Sequence, residues 1–373
     1  VNEGKATRYH RQRRRARSGA VLGGLTLLVG FLVGGGAASL RGTLTLWPDG
    51  PGGASPWYGP TCYGGLVWLA LEAWLFPFRF YQSVILERRY RLSEPRAFSW
   101  LSTTLTTSVL NVALVAFAAT VVFTARFWWP QVWWIVCGML FSLTTLAITT
   151  LAPGWILPWV STTRPLERPA LQRRLAALAA RVGVPPIPVA ELLVGRPGRR
   201  AYALLVGLGA GRQILLSETF LSDYSDAEIE AVTAHELGHH VHLDLWQTAI
   251  YELGVALAAL WTADRVVTMA GPLVGVTGAT DLASLPLLGL AAGGIVVVAA
   301  PLGHALSRRH ERRADRFALR YCSEPAALAS SLRRLGEQHL AEPSPSRMVE
   351  LFWHSHPPLD RRLSQLANPS GAG

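Results

Sequence analysis

The most informative run in the chain is Ser225-Asp-Ala-Glu-Ile-Glu-Ala-Val-Thr-Ala-His-Glu-Leu-Gly-His-His240. It opens with Ser-x-x-Glu, a pattern in which Ser225 and Glu228 satisfy each other's backbone N–H groups and start a helix. On that helix His235 and His239 are four residues apart and project from one face. Two imidazoles one turn apart can bind a single tetrahedral zinc ion. Glu236 lies beside the first of them, placed to take a proton from attacking water and return it to a leaving amine. Zinc lowers the pKa of such water to about 7, which suits this chemistry at neutral pH. A core helix would not bury His-Glu-His without a partner, because desolvated polar groups are costly.

The rest of the chain points to a membrane. Half of the 373 residues are hydrophobic and only 16% are charged, a balance too apolar for an ordinary soluble domain. Apolar stretches near 19–38, 61–79, 101–124, 131–152, 246–270 and 286–306 are each long enough to cross a bilayer as a helix. Tryptophans gather at their ends, as at Trp128-Trp129 and Trp133-Trp134, where interfacial rings belong. The fifth stretch contains Asp264 and Arg265, which either pair with each other or mark its true end. The formal net charge of +11 is concentrated beside these stretches: Arg8 to Arg17, Arg88 to Arg96, and Arg308 to Arg313. That placement follows the positive-inside rule and argues against a nucleic-acid partner. It puts both chain ends and the segment before the fifth stretch on the cytoplasmic side. Three isolated cysteines, Cys62, Cys137 and Cys322, form no metal or disulfide pattern.

Between the fourth and fifth stretches the chain reads as a water-soluble segment. Leu171, Leu175, Leu178 and Val182 form one stripe of an amphipathic helix, ended by Pro185, Pro186 and Pro188. Two β-rich runs follow, Ala201–Val206 and Gln213–Leu216, with Gly207-Leu-Gly-Ala-Gly211 as a hairpin turn between them.

A catalytic zinc takes three protein ligands and leaves a fourth position open. Glu311 in Glu311-Arg-Arg-Ala-Asp315 is the best candidate for the third, with Asp315 one turn later able to support a histidine ligand. On residue types alone, an acidic pair among arginines is more often a solvated, salt-bridged face. His240, His242, His304, His310 and His339 read as surface or interfacial histidines. His356 differs, because Ser355-His356-Pro357-Pro358 holds it on a stiff loop from which it could donate to a developing oxyanion.

Taken together, Ala234-His-Glu-Leu-Gly-His-His240, Glu311-x-x-x-Asp315 and His356-Pro-Pro-Leu-x-x-Arg362 resemble the type I CAAX prenyl endopeptidases, whose smaller relatives are the HtpX-type heat-shock proteases. Val84-Ile-Leu-Glu-Arg-Arg-Tyr-Arg-Leu-Ser93, Pro165-Leu-Glu and Gly207-Leu-Gly extend the likeness from about residue 80 onward. The resemblance implies that Glu311 is the third zinc ligand, Asp315 its support, and His356 a group that stabilises the tetrahedral intermediate. It also implies substrate contacts at Arg200, Tyr202 and Arg362. Arg200 stands where the family usually has asparagine, and the larger members have seven spans against six here, so substrate contacts and chamber are expected to differ.

The expected protein is a mainly α membrane protein with about six transmembrane helices and a cytoplasmic α+β, zincin-like catalytic domain. Residues 1–18 form a basic cytoplasmic segment, 19–160 carry four spans, 161–245 the first catalytic part, 246–306 two spans, and 307–373 the second catalytic part. One Zn2+ serves a peptide or protein substrate, lipidated or membrane-embedded. An HtpX-like role in membrane-protein quality control is the alternative substrate reading. The arginine-, alanine- and glycine-rich composition suggests a bacterial plasma membrane. A non-catalytic metal sensor would need His235 and His239 but not Glu236. A transporter would need more ionisable residues within its spans.

Overall fold

Long apolar runs without internal breakers form long helices, and proline and glycine set where they end. The computed structural model describes residues 4–45, 57–92, 97–160, 162–185, 187–193, 202–207, 212–278 and 280–367. In chain order the first half gives α1 Lys5–Val33, α2 Gly36–Thr45, α3 Tyr58–Phe80, α4 Glu87–Tyr90, α5 Ala97–Trp128 and α6 Trp133–Val160. A π-helical turn, Tyr81–Leu86, joins α3 to α4. There follow β1 Thr162–Pro165, α7 Pro169–Arg181, β2 Val189–Leu193, β3 Ala203–Val206 and β4 Gln213–Ser217. The remainder is helical: α8 Glu218–Asp223, α9 Asp226–Val241, α10 Asp244–Ala270, α11 Ser284–Tyr321, α12 Pro325–Gln338, α13 Arg347–Trp353 and α14 Leu359–Ala367.

Five helical segments among the described residues are long and apolar enough to cross a membrane: Lys5–Val33, Ala97–Trp128, Trp133–Leu151, Asp244–Val274 and Ser284–Tyr321. The sequence reading counts six. The difference is the stretch 61–79, which is helical as α3 but carries Glu72, Pro77 and Arg79 and is not among the five. The first span also differs in extent. It is continuous with the basic segment and stops at Val33, where Gly34-Gly35-Gly36 follows and Gly35 takes φ 75°, a left-handed conformation that favours glycine.

The chain divides into two units. One comprises Arg8–Ser142 and Glu252–Ala299. In it Glu72 is buried yet fully partnered: Trp68 Nε1 donates at 3.1 Å, Ser108 Oγ at 2.6 Å, Asn111 Nδ2 at 3.2 Å and Arg79 Nη2 at 3.0 Å. Such pairing is what an apolar surrounding demands of a carboxylate. Asp264 is likewise satisfied, by Trp133 Nε1 at 2.9 Å and Arg265 Nη2 at 2.5 Å. The two charges in the fifth stretch therefore pair, and the helix runs past them to Ala270.

The other unit comprises Val1–Thr7, Leu143–Tyr251 and Ala300–Gly373. Its sheet has the order β1-β2-β4-β3. β3 and β4 pair antiparallel with Val206 opposite Gln213, as expected of the two β-rich runs, while residues 208–211 of the glycine turn expected between them lie outside the described residues. β1 and β2, which the sequence reading leaves unassigned, pair antiparallel, and β2 joins β4 in parallel. α7 buries Leu171, Leu175 and Leu178, its amphipathic stripe. α9 is buried on nearly every side: Ile229 and Val232 pack with Leu216 and Phe220, while Ala234 and Leu237 pack with Phe317 and Leu328. Each fully buried Ile or Leu contributes roughly 1.5–3 kcal/mol, which fixes the motif helix between the sheet and α11–α12.

Glu230 shows how that burial treats charge. It is inaccessible to solvent, and Arg174 Nε (2.5 Å), Arg181 and the backbone and hydroxyl of Ser323 (3.1 and 2.9 Å) all donate to it. Burial acts to raise its pKa, but these donors outweigh it and hold the carboxyl below its ordinary value. A depressed folded-state pKa contributes stability above the unfolded glutamate value of about 4.3 and loses it as pH falls through the folded value. Glu230→Gln should therefore lower the thermal midpoint in detergent at pH 7, and the difference from wild type should close as pH falls below about 4. A gap of constant size from pH 7 to pH 3 would contradict this assignment.

Candidate metal centre

The capping box fixes the phase of α9. Glu228 N–H donates to Ser225 Oγ at 3.2 Å, and Ser225 N–H donates to Glu228 Oε2 at 2.9 Å. Three turns later His235 and His239 share the face that meets α11. The two helices approach closely because Gly238 has no side chain: a Cβ there would lie 3.1 Å from Ala314 Cα and 3.2 Å from Phe317 Cβ. That contact sets Glu311 and Asp315, also four residues apart, opposite the two histidines.

The facing atoms converge. His235 Nε2 and His239 Nε2 are 3.2 Å apart, and each lies 3.5 Å from an oxygen of Glu311. One ligand atom from each of the three residues falls within 4.8 Å of the others, the one such metal-capable group among the described residues. The far nitrogens face carboxylates. His239 Nδ1 is 2.8 Å from Asp244 Oδ2, and His235 Nδ1 is 2.9 Å from Asp315 Oδ1, close but poorly aligned as a hydrogen bond. Protons held at Nδ1 leave both Nε2 lone pairs aimed at each other and at a carboxylate. Three electron-pair donors at this separation repel unless a cation sits among them, so the residues fit a bound metal. The His239 ring shows the same demand. Burial opposes its charge, yet Glu311 and Asp244 outweigh burial and raise its pKa to about 9, so a proton is drawn where a metal would be.

Arginines clamp both supporting carboxylates. Arg362 holds Asp315 with two bonds, Nε–Oδ2 at 2.8 Å and Nη2–Oδ1 at 2.6 Å, and lies 3.3 Å from Glu311. Arg313 binds Asp244 directly, with buried His310 3.8 Å away on the same oxygen. The sequence reading misses Asp244 and Arg313. A signal existed for Asp244, five residues past His239, but not for Arg313, one of many arginines after the last span.

The other expected residues fall as follows. Glu236 is half-buried next to the two histidines, and burial pushes its carboxyl above the usual range; His235 and His239 act against that rise. His356 lies on the loop between α13 and α14 with Nδ1 3.0 Å from Glu311 Oε1 and its side chain 64% exposed. Arg362, which the sequence reading groups with substrate contacts, is engaged by Asp315 and Glu311 and is only 11% exposed. Tyr202 precedes edge strand β3, pairs through its backbone with Ser217, and is 40% exposed. Arg200 lies outside the described residues. Of the remaining histidines, His240 meets Arg212 and His242 caps the carbonyl of Gly238.

The chain is similar to known proteins along most of its length. Residues 4–162 match a family model described as the CAAX prenyl protease N-terminal, five membrane helices. The chain is 27% identical to an uncharacterized metalloprotease, YhfN, of Bacillus subtilis, over 64% of this chain and 57% of the relative. It is 25% identical to a probable CAAX prenyl protease 1 of Schizosaccharomyces pombe, over 59% of this chain and 47% of the relative. The chain thus spans about half the length of these two curated relatives. Its fold is similar to that of Saccharomyces mikatae Ste24p, with a TM-score of 0.80 at 19% identity, covering 97% of this chain and 87% of that one. Residues 165–370, which contain both helices of the candidate centre, match the model of peptidase family M48, and the chain, an integral membrane protein, belongs to that family.

Proposed function

We propose that this chain is a zinc metalloendopeptidase that hydrolyses peptide bonds of membrane-associated proteins or peptides. The observation that carries the proposal is the convergence of His235 Nε2, His239 Nε2 and Glu311 with Glu236 beside them. His235, His239 and Glu311 hold the zinc; Asp315 and Asp244 orient the two rings, and Arg362 and Arg313 orient those carboxylates. The bound ion supplies Lewis acidity toward a carbonyl and toward water. Glu236 accepts the proton of the attacking water and passes it to the leaving nitrogen, a task eased by its raised pKa. His356, exposed on its loop, donates to the oxyanion of the substrate. Tyr202, just before edge strand β3, contacts the substrate, whose backbone can pair with an open sheet edge, and Arg200, two residues earlier in the sequence, joins it in that role. Arg362 serves the metal centre in place of the substrate.

On this reading α3 is a sixth span, its Glu72 carried across the apolar layer by Arg79, Ser108 and Asn111. Residues 1–18, 161–245 and 307–373 face the cytoplasm, because the arginine-rich flanks lie on that side. The catalytic segments 161–245 and 307–373 together form the zincin-like α+β domain. Substrates are CAAX-type prenylated peptides or unprenylated membrane proteins.

The test is cleavage by the detergent-purified chain of a prenylated peptide and of casein. Glu236→Gln should retain the metal and lose roughly 10²–10⁴-fold in kcat. Cleavage confined to the prenylated peptide selects CAAX-type processing over quality control. Full activity in Glu236→Gln, or zinc-loaded wild type that cleaves neither substrate, would contradict the proposal. Asp244→Asn keeps the shape but loses the charge that holds His239, and should weaken zinc binding about 10–100-fold in a chelator competition. Unchanged affinity would mean that Asp244 only packs.

A further inference from the structure

The basic end of α1 is built more firmly than a topology signal requires. α1 runs antiparallel to α3. Trp74 packs where Gly23 lacks a side chain, and its Nε1 donates to the carbonyl of Ala20 at 3.0 Å. Further along, Phe78 lies against Gly19. Beyond α3 the π-helical turn re-phases the chain by its extra residue, and α4 continues beside the start of α1. There Tyr9, 2% exposed, donates from its hydroxyl to Glu87 Oε1 at 2.9 Å and meets Tyr90 edge-on with ring centroids 5.2 Å apart. These contacts bind two segments 78 residues apart into one.

Around this staple lie arginines from both segments. Arg8, Arg11, Arg13, Arg15 and Arg17 of α1 are exposed, as are Arg88, Arg89 and Arg91 at the end of α4. Between Arg8 and Arg17 there is no acidic residue, and Tyr9 links Glu87 of the second segment to Arg13, whose Nη1 donates to the Tyr9 hydroxyl at 3.3 Å. α1 is unbroken into its apolar half, which begins at Gly19. At about 1.5 Å per residue, Arg17 to Arg13 stand roughly 3–9 Å outside the apolar boundary of an upright helix. The lipid headgroup layer occupies about 5–8 Å on each side of the hydrocarbon.

We propose that the arginines of Arg8–Arg17 and Arg88–Arg91, joined by the Tyr9–Glu87–Tyr90 contact, form one binding surface for anionic phospholipid headgroups. Guanidinium forks match phosphate oxygens two bonds at a time, and a folded helix presents them at low entropic cost. Position favours lipid over nucleic acid, because these charges continue a membrane-spanning helix at the depth where lipid phosphates lie.

The test uses native mass spectrometry of the full chain in mixed micelles containing phosphatidylglycerol or phosphatidylcholine. Wild type should retain phosphatidylglycerol at least about tenfold better than phosphatidylcholine. The triple substitution R13Q/R14Q/R15Q should weaken that retention roughly a hundredfold, from about 1 kcal/mol for each basic side chain at the surface. Tyr9→Phe keeps every arginine and so keeps the topology signal. It should still weaken retention several-fold, because the two segments lose their tie. Equal retention of the two lipids, or phosphatidylglycerol retention unaltered in either variant, would overturn the proposal. So would displacement of the lipid by millimolar inorganic phosphate, or tighter binding of a short RNA.

Discussion

The close passage of α11 across Gly238 is the contact on which the candidate centre depends. A helix carrying two histidines is only half of a metal site until another backbone brings a carboxylate within reach. Gly238 removes the atom that would hold the helices apart, since a Cβ would meet the backbone of Ala314 at 3.1 Å. The glycine inside His-Glu-Leu-Gly-His thus has a definite packing role. Its neighbours agree: Ala234, Leu237, Ala314 and Ala318 are all fully or almost fully buried along the same seam. Small residues let the helices approach, and burial of the apolar ones keeps them there.

From that seam outward the site is two similar braces. His235 rests on Asp315 and Arg362, and His239 rests on Asp244 and Arg313. Each brace ends in an arginine that neutralises a carboxylate with little access to water, as burial of charge requires. The braces differ in origin. Asp315 lies one turn beyond Glu311 on the same helix, whereas Asp244 is reached only after the turn at Leu243, whose φ of 57° is rare for a branched apolar residue. The second brace therefore also joins the candidate centre to the first residue of α10.

These differences explain what could be read from sequence. The four-residue spacing of His235 and His239 is a local fact, and so are the capping box, the α7 stripe and the hairpin β3–β4. Glu311 is not local: more than seventy residues separate it from its partners, and its arginine-rich surroundings look like any positively charged membrane flank. Residue types alone make it a weak candidate, and the resemblance to known motifs is what strengthens it. Arg313 is hidden by the same arginines, whereas Asp244 stands only five residues past His239 and is missed because the turn at Leu243 that aims it back is not a helical continuation. Strands β1 and β2 escaped notice because each is short and finds its partner across α7 or from β4. The apolar stretch 61–79, expected as a span, is helical, but with Glu72 and Arg79 in it α3 is not among the five helices apolar enough to cross a membrane.

The central claim, that two imidazoles and one carboxylate hold a zinc ion, is tested most directly by X-ray absorption at the zinc edge on the purified, detergent-solubilised chain. The account predicts a first shell of nitrogen and oxygen only, at about 2.0–2.2 Å, with the outer-shell pattern of two imidazoles. Loss of one imidazole contribution in His239→Ala would assign one of them. A sulfur neighbour near 2.3 Å, or a spectrum that His239→Ala leaves unchanged, would contradict the account.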